Sequence, residues 1–284
     1  MERELWPPLY RALRAVGNDF QQKYVRYQPW VLAAVFLWAA LHDRPVSWAC
    51  QERHWSTTRL RPVQLPSAAT LSRRVDGLPV GAVLRALEQR LREDGAVPLL
   101  ALLDGKPLLV SSVSKDPDAQ RGRAAGGMGK GYKLHTLWAR RPLPQAWELT
   151  PLNTAETVVA QRLLPQAPGA GYVLADGNYD SSPLYDTAAA AGYQLLTPLP
   201  SNAGQGHRYQ SPHRLRARDL WQTDFGRSLY GLRIGIEQAY GQAVAFGGGL
   251  AALPAWVRGQ ARVRTWVWAK LLINAVRILK HKGL

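Results

Sequence analysis

The run Val97-Pro-Leu-Leu-Ala-Leu-Leu103, with Asp104 directly after it, separates a helical first third of the chain from a strand-bearing remainder. Apolar residues without a polar break, closed by an acid, predict a buried strand ending at Asp104. A second run, Gly171-Tyr-Val-Leu-Ala175, closes in the same way on Asp176. For either aspartate alone, a turn former after a strand is a sufficient account. A third acid stands out in Tyr230-Gly-Leu-Arg233-Ile-Gly-Ile-Glu237, where helical spacing puts Tyr230, Arg233 and Glu237 on one face. Glu237 is the last acid of the chain, and the segment after it holds Arg258, Arg262, Arg264, Lys270, Arg277, Lys280 and Lys282. Taken singly it reads as one half of an Arg233 ion pair on a solvated helix. Taken together, two carboxylates at the ends of adjacent strands and a third on a covering helix make an all-oxygen pocket. Such a pocket suits a hard divalent cation, with Mg²⁺ the natural guest.

Outward from Asp104, Pro107 to Val113 continues as extended chain. Lys115 to Lys130 then reads as a mobile, basic, Gly-rich loop able to close over phosphates. It has no GKS or GKT ending and no helix follows it, which excludes a nucleotide-binding P-loop. Tyr132–Ala139 and Gln145–Thr150, joined by a turn at residues 140–144, predict an antiparallel hairpin. Lys133 and His135 alternate with apolar neighbours, so that one of them reaches the site; a half-buried strand histidine is the plainer reading of His135. A helix over 155–164, the Asp176 strand, a helix over 183–191 and a strand over 193–197 follow. The order predicts an α/β fold, a mixed sheet flanked by helices on both faces, with Asp104 beside Asp176 and the Glu237 helix packed across them. Asp180 reads as an N-cap, Asp116 and Asp118 as solvated turn residues, and Pro254–Lys282 as one long helix with Trp256 among its packing residues.

Residues 1–95 predict an all-α N-terminal region, with helices at Leu9–Val16, Trp30–Leu41 and Val80–Glu93. Between the last two, Pro66-Ser-Ala-Ala-Thr-Leu-Ser-Arg-Arg74 offers Ser67 as N-cap and turns Thr70, Arg73 and Arg74 outward, after Arg59 and Arg61. A helix-turn-helix recognition element needs such a helix, and a capped surface helix in a basic protein has the same pattern. Residues 96–284 form the second domain in this reading.

Charge narrows the partners. The 284 residues hold 36 Lys and Arg against 20 Asp and Glu, a net charge of +16. A polyanion is implied, and nucleic acid is favoured over an acidic membrane because the cations are spread over several segments. Cys50 is the only cysteine, which excludes a disulfide framework and a CxxC zinc site. The six histidines show no HExxH spacing. Trp30–Leu41 is too short to span a bilayer, and the N-terminus lacks the order of a signal peptide, so no membrane role is expected. A cytoplasmic, nucleoid-associated location is the corresponding expectation.

Asp104 after its strand, Gly131-Tyr-Lys-Leu-His135, Leu174-Ala-Asp176-Gly-Asn-Tyr179-Asp180 and the Tyr230, Arg233, Glu237 spacing together resemble the DDE transposases of bacterial insertion sequences, closest to the IS4-like family. The resemblance spans residues 99–280. It departs from the family pattern at Val244, where the signature has Lys, and at Asn178, where Gly precedes the Tyr; the large β-rich insertion of some relatives is also absent. It implies an RNase H-like catalytic domain in which Asp104, Asp176 and Glu237 hold two Mg²⁺ ions, with Mn²⁺ as substitute. The implied chemistry is in-line displacement at phosphorus: cleavage at the element's terminal inverted repeats, then attack of the freed 3′-hydroxyl on target DNA. By the same analogy Arg233 clamps a phosphate and Tyr230 meets the terminal nucleotides, while Lys130, Lys133, Arg73 and Arg74 are further candidates for contact with double-stranded DNA. Paired-end cleavage implies a homodimer on DNA. Two rival readings are a DNA-binding remnant without catalysis and an RNase H-like structure-specific nuclease.

Overall fold

The structure, a computed structural model, describes residues 2–92, 97–124, 126–139, 141–198 and 210–280. Its helices and strands run in the order α1 (Glu2–Gly17), α2 (Pro29–Leu41), α3 (Val46–Ala49), α4 (Ala68–Arg74), α5 (Leu78–Leu91), β1 (Leu100–Leu109), β2 (Gln120–Ala124), β3 (Gly127–Trp138), β4 (Ala146–Pro151), α6 (Glu156–Leu163), β5 (Gly171–Leu174), α7 (Ser182–Ala190), β6 (Tyr193–Leu196), α8 (Pro212–Gln222), α9 (Asp224–Gly231), α10 (Ile234–Val244) and α11 (Gln260–Lys280). They group into two compact units, Met1–Glu93 with Gln242–Leu284, and Asp94–Gly241. The closing segment, expected with the catalytic domain, groups with the N-terminal helices, because the apolar face of α11 packs on α1, α2 and α5.

In the helical unit, α2 is apolar on every side and accordingly buried along its length. Trp6, Trp38 and Trp55 interlock beside it, with Trp38 and Trp55 stacked at 4.7 Å and Trp6 edge-on to both. Each indole N–H donates to a backbone carbonyl, of Leu60, His54 and Ala49 in turn. Ser67 caps α4 as expected, its hydroxyl accepting from the Thr70 N–H at 3.2 Å. The helix expected from Pro254 begins instead at Gln260, and Trp256 stays 46% exposed; residues 281 and 282 lie outside the described residues. No helix among the described residues is long and apolar enough to cross a membrane.

In the second unit one mixed sheet runs β2-β3-β1-β5-β6, with β4 paired to the same β3. β1 is antiparallel to β3 and parallel to β5, and β6 is parallel to β5. Asp104 lies inside β1, not at its end: the ladder continues through Asp104↔Thr136 to Leu109↔Gly131. The Gly-rich segment is not a loop over most of its length. Its residues pair as β2 and the first half of β3, and Gly131 is required there because a Cβ would stand 2.2 Å from the Leu108 carbonyl oxygen. Asp116 is buried, accepting from the Tyr132 hydroxyl at 2.8 Å, where a solvated residue was expected. Asp180 does not cap α7 either; it takes a two-pronged pair from Arg214 at 2.7 and 2.6 Å.

Lys270 is the most demanding buried group of the helical unit. Its ammonium is 1% exposed and donates to the carbonyls of Ala40 (2.6 Å) and Gly248 (3.0 Å) and to Asp43 (2.5 Å). It thereby adds a second kind of donor to the Ala40 carbonyl at the end of α2, which also accepts from the Asp43 N–H at 3.3 Å. Replacement Lys270→Ala should cost about 3 kcal/mol, since it strands buried acceptors. Asp43→Ala should also cost about 3 kcal/mol, because it leaves the buried Lys270 ammonium without its counter-charge, held by two carbonyls alone. Urea denaturation followed by tryptophan fluorescence measures both.

Candidate active site

Register puts the first two carboxylates level. Leu102 pairs with Leu174 across the parallel β1–β5 ladder, so Asp104 and Asp176 each lie two residues further on, where β5 has ended. Released from the sheet, Asp176 opens a short 3₁₀ turn, with its Oδ1 accepting from the Asn178 N–H at 2.9 Å. Asp104 accepts from the Gly105 N–H at 2.8 Å.

Tyr230, Arg233 and Glu237 do not share one helix. α9 ends at Gly231 and α10 begins at Ile234; between them the N–H groups of Leu232, Arg233, Gly235 and Ile236 each bond three residues back instead of four. The break leaves Arg233 at the junction, with one guanidinium nitrogen 3.8 Å from Asp104 and another 3.6 Å from Glu237. Both separations exceed a hydrogen bond, and the Arg233 Nε is buried without a partner among the described residues. Tyr230, on α9, packs edge-on against Trp221 at 4.8 Å.

Several groups at the site were not singled out from sequence. Tyr240 of α10 bonds with its hydroxyl to Thr136 Oγ1 (2.8 Å) and to the carbonyl of Asp104 (3.0 Å), fixing helix to sheet. Glu156, first residue of α6, takes the ammonium of the buried Lys133 at 2.5 Å. The pair lies against Gly105, where a Cβ would come within 2.9 Å of the Lys133 stem. Tyr179 is buried, and its hydroxyl has no partner among the described residues. Strand alternation put Lys106 on the face of Asp104 and was the one available signal. Glu156 reads in sequence as an ordinary first-turn acid. Lys130 donates to the Ser114 carbonyl at 2.7 Å, and Arg73, in the helical unit, is exposed and bonds back to Ala69. Arg74 closes the same helix, α4, half-buried.

Burial pushes the Asp104 carboxyl up to about 6; the Gly105 N–H and Arg233 oppose the shift, and Asp176 and Glu156 add to it. Burial, helped by Lys133 and Arg162, drives His135 down to about 3, so it is neutral and bonded to Thr150 at 3.0 Å. Among the described residues, no three His, Cys, Asp or Glu side chains stand close enough to hold a metal ion together, and Glu237 is 67% exposed. The donor chemistry nevertheless fits a hard cation. Asp104 and Asp176 offer carboxylate oxygens at adjacent positions, and beside them the Tyr179 hydroxyl is buried with no partner among the described residues.

A family model described as Transposase DDE domain matches residues 96–273. No curated protein matches the chain. Among solved structures, the chain is similar to a piggyBac transposase in a cryo-EM synaptic complex with hairpin DNA, with 9% identity and a TM-score of 0.46 over 99% of this chain and 74% of that one.

The raised Asp104 carboxyl has a stability consequence. The folded state takes up its proton near pH 6 and the unfolded state near the ordinary 3.8, so stability falls as pH rises between the two. Asp104→Asn should therefore raise the unfolding midpoint of the metal-free protein at pH 8, by up to about 3 kcal/mol in free energy. The gain should vanish below about pH 4, as thermal melts across pH will show.

Proposed function

Because the chain belongs to the Transposase DDE domain family, we propose that it is a DNA transposase of insertion-sequence, IS4-like type that cuts the ends of its element and joins them to target DNA. The observation that carries this reading is the level placement of Asp104 and Asp176 on adjacent strands, with Arg233 between Asp104 and Glu237. Asp104, Asp176 and Glu237 would hold two divalent cations, Mg²⁺ or Mn²⁺ in its place, which neutralise phosphate charge and activate an oxygen nucleophile. The chain's own side chains bind and orient. Arg233 reaches neither carboxylate at bonding distance, so its planar fork is available for two oxygens of one phosphate. Tyr230, braced by Trp221, offers a ring to the terminal nucleotides.

In the first step water oxygen bonds to phosphorus at the element's end and the bond to the 3′ oxygen breaks. The freed 3′-hydroxyl then attacks a target phosphodiester, whose own 3′ oxygen leaves. No protein atom becomes covalently attached. Terminal inverted repeats and target DNA are the partners in this reading. Two active sites are needed for two ends, so the chain acts as a homodimer on DNA, and its charge of +16 keeps it with the nucleoid.

A second reading, a DNA-binding remnant, is favoured by Val244 at the signature Lys and by the exposure of Glu237. Incubation with an end duplex and a target plasmid in Mg²⁺ separates the readings. Joined product is expected, and Asp104→Ala, Asp176→Ala and Glu237→Ala should each lower it at least about a hundredfold, while DNA binding without metal persists. Cut but unjoined ends would point to a structure-specific nuclease, and binding without cutting to the remnant.

A further inference from the structure

Lys106 follows Asp104 by two residues on β1, so both side chains leave the same face of the strand. Its ammonium lies 5.6 Å over the ring of Tyr240, the residue whose hydroxyl is bonded to the Asp104 carbonyl and to Thr136. The ring thus anchors the cation from one side through its π face. Two buried cations of this unit have close counter-ions: Lys133 has Glu156, and Arg214 has Asp180. Among the described residues, Lys106 makes no such ion pair, although it is half-buried. α10, which covers this face with Tyr240, contributes no Lys or Arg of its own between Ile234 and Val244.

A half-desolvated ammonium held beside carboxylates, with its three N–H donors uncommitted, is stabilised by an incoming anion. A phosphodiester oxygen supplies that anion with the right size and charge, and the nearest place for it is beside Asp104. We propose that Lys106 holds a non-bridging phosphate oxygen of the DNA strand lying at Asp104, pairing with Arg233 to fix that phosphate from two sides. The proposal rests on the reading of the site as one for DNA phosphoryl transfer. It adds a phosphate-binding residue that comes from the strand and not from the covering helices. It also distinguishes Lys106 from Lys133, whose ammonium is committed to Glu156.

The test uses the full chain and a fluorescent duplex carrying the DNA that borders the element, with binding measured from 50 to 300 mM KCl in EDTA. Lys106→Met keeps the stem and removes the charge; Lys106→Arg keeps the charge. Lys106→Met should weaken binding about tenfold at the lowest salt and flatten the log–log salt slope by about 0.9, one phosphate contact, while Lys106→Arg restores the slope. Equal slopes for wild type and Lys106→Met overturn the proposal. Lysine acylation read by mass spectrometry tests wild type without any variant: the duplex should protect Lys106 at least about fivefold, and an unprotected Lys106 overturns the proposal even where Lys106→Met does not fold. The two readings fail separately. A protein that cuts and joins DNA with Lys106 unprotected keeps the transposase reading and loses this one. A protein that never cuts, yet loses one phosphate contact in Lys106→Met, does the reverse.

Discussion

The hydroxyl of Tyr240 is the fastening on which the site depends. It bonds at once to a side chain of β3 and to the backbone carbonyl of Asp104 on β1, and its ring packs edge-on against Trp138 at 5.9 Å. A tyrosine is suited to this, because its ring fills the core while its one polar atom demands partners when buried. Those partners exist only at one position of α10 against the sheet. With the helix so fixed, Glu237 falls one turn earlier on it and Arg233 at its entrance, while Lys106 on β1 lies over the same ring. Loss of the hydroxyl bond would therefore loosen three charged groups together.

Charge is distributed unevenly in this unit. Buried ions are mostly matched, as in Lys133 with Glu156 and Arg214 with Asp180, and such pairs hold geometry more than they add stability. Around Asp104 the matching stops short of bonding distance. Arg233 is shared between two carboxylates and, among the described residues, Lys106 is without an ion pair and the Tyr179 hydroxyl without a partner. Charged groups held short of bonding distance in one place, in a unit that pairs buried ions such as Lys133 and Arg214 closely, mark the part of the surface shaped for something other than its own stability.

What could be read in the sequence follows from what local pattern encodes. The apolar runs before Asp104 and Asp176 become buried strands from Ala101 and from Val173, and the alternation of Tyr132–Trp138 marks a strand, although both of its faces are buried, so the sheet and the nearness of the two aspartates were legible. The ladder through residues 120–131 was not, since glycine and arginine carry weak strand preference, and the small size of Gly131 is demanded by Leu108 across the ladder. The break at Leu232–Arg233 was hidden for the opposite reason: the side-chain spacing is helical, and the two glycines that permit the tighter turn are each tolerated in a helix. Asp116, Glu156 and Asp180 look like surface acids because their partners, Tyr132, Lys133 and Arg214, are 16 to 34 residues away.

The exposure of Glu237 follows from the same electrostatics. Two unit charges 4 Å apart in surroundings of effective dielectric 20 repel by about 4 kcal/mol, so a third carboxylate does not join Asp104 and Asp176 without added positive charge. Arg233 supplies part of it, at 3.6 Å to Glu237 and 3.8 Å to Asp104, and so holds the glutamate near the other two without drawing it in. A hard cation would supply the rest, and a guanidinium freed by that cation would turn to the nearest remaining anion. In the proposed two-cation reading, phosphate binding by Arg233 and inward movement of Glu237 would be coupled, because the cation that draws Glu237 in also releases Arg233 from balancing the carboxylates.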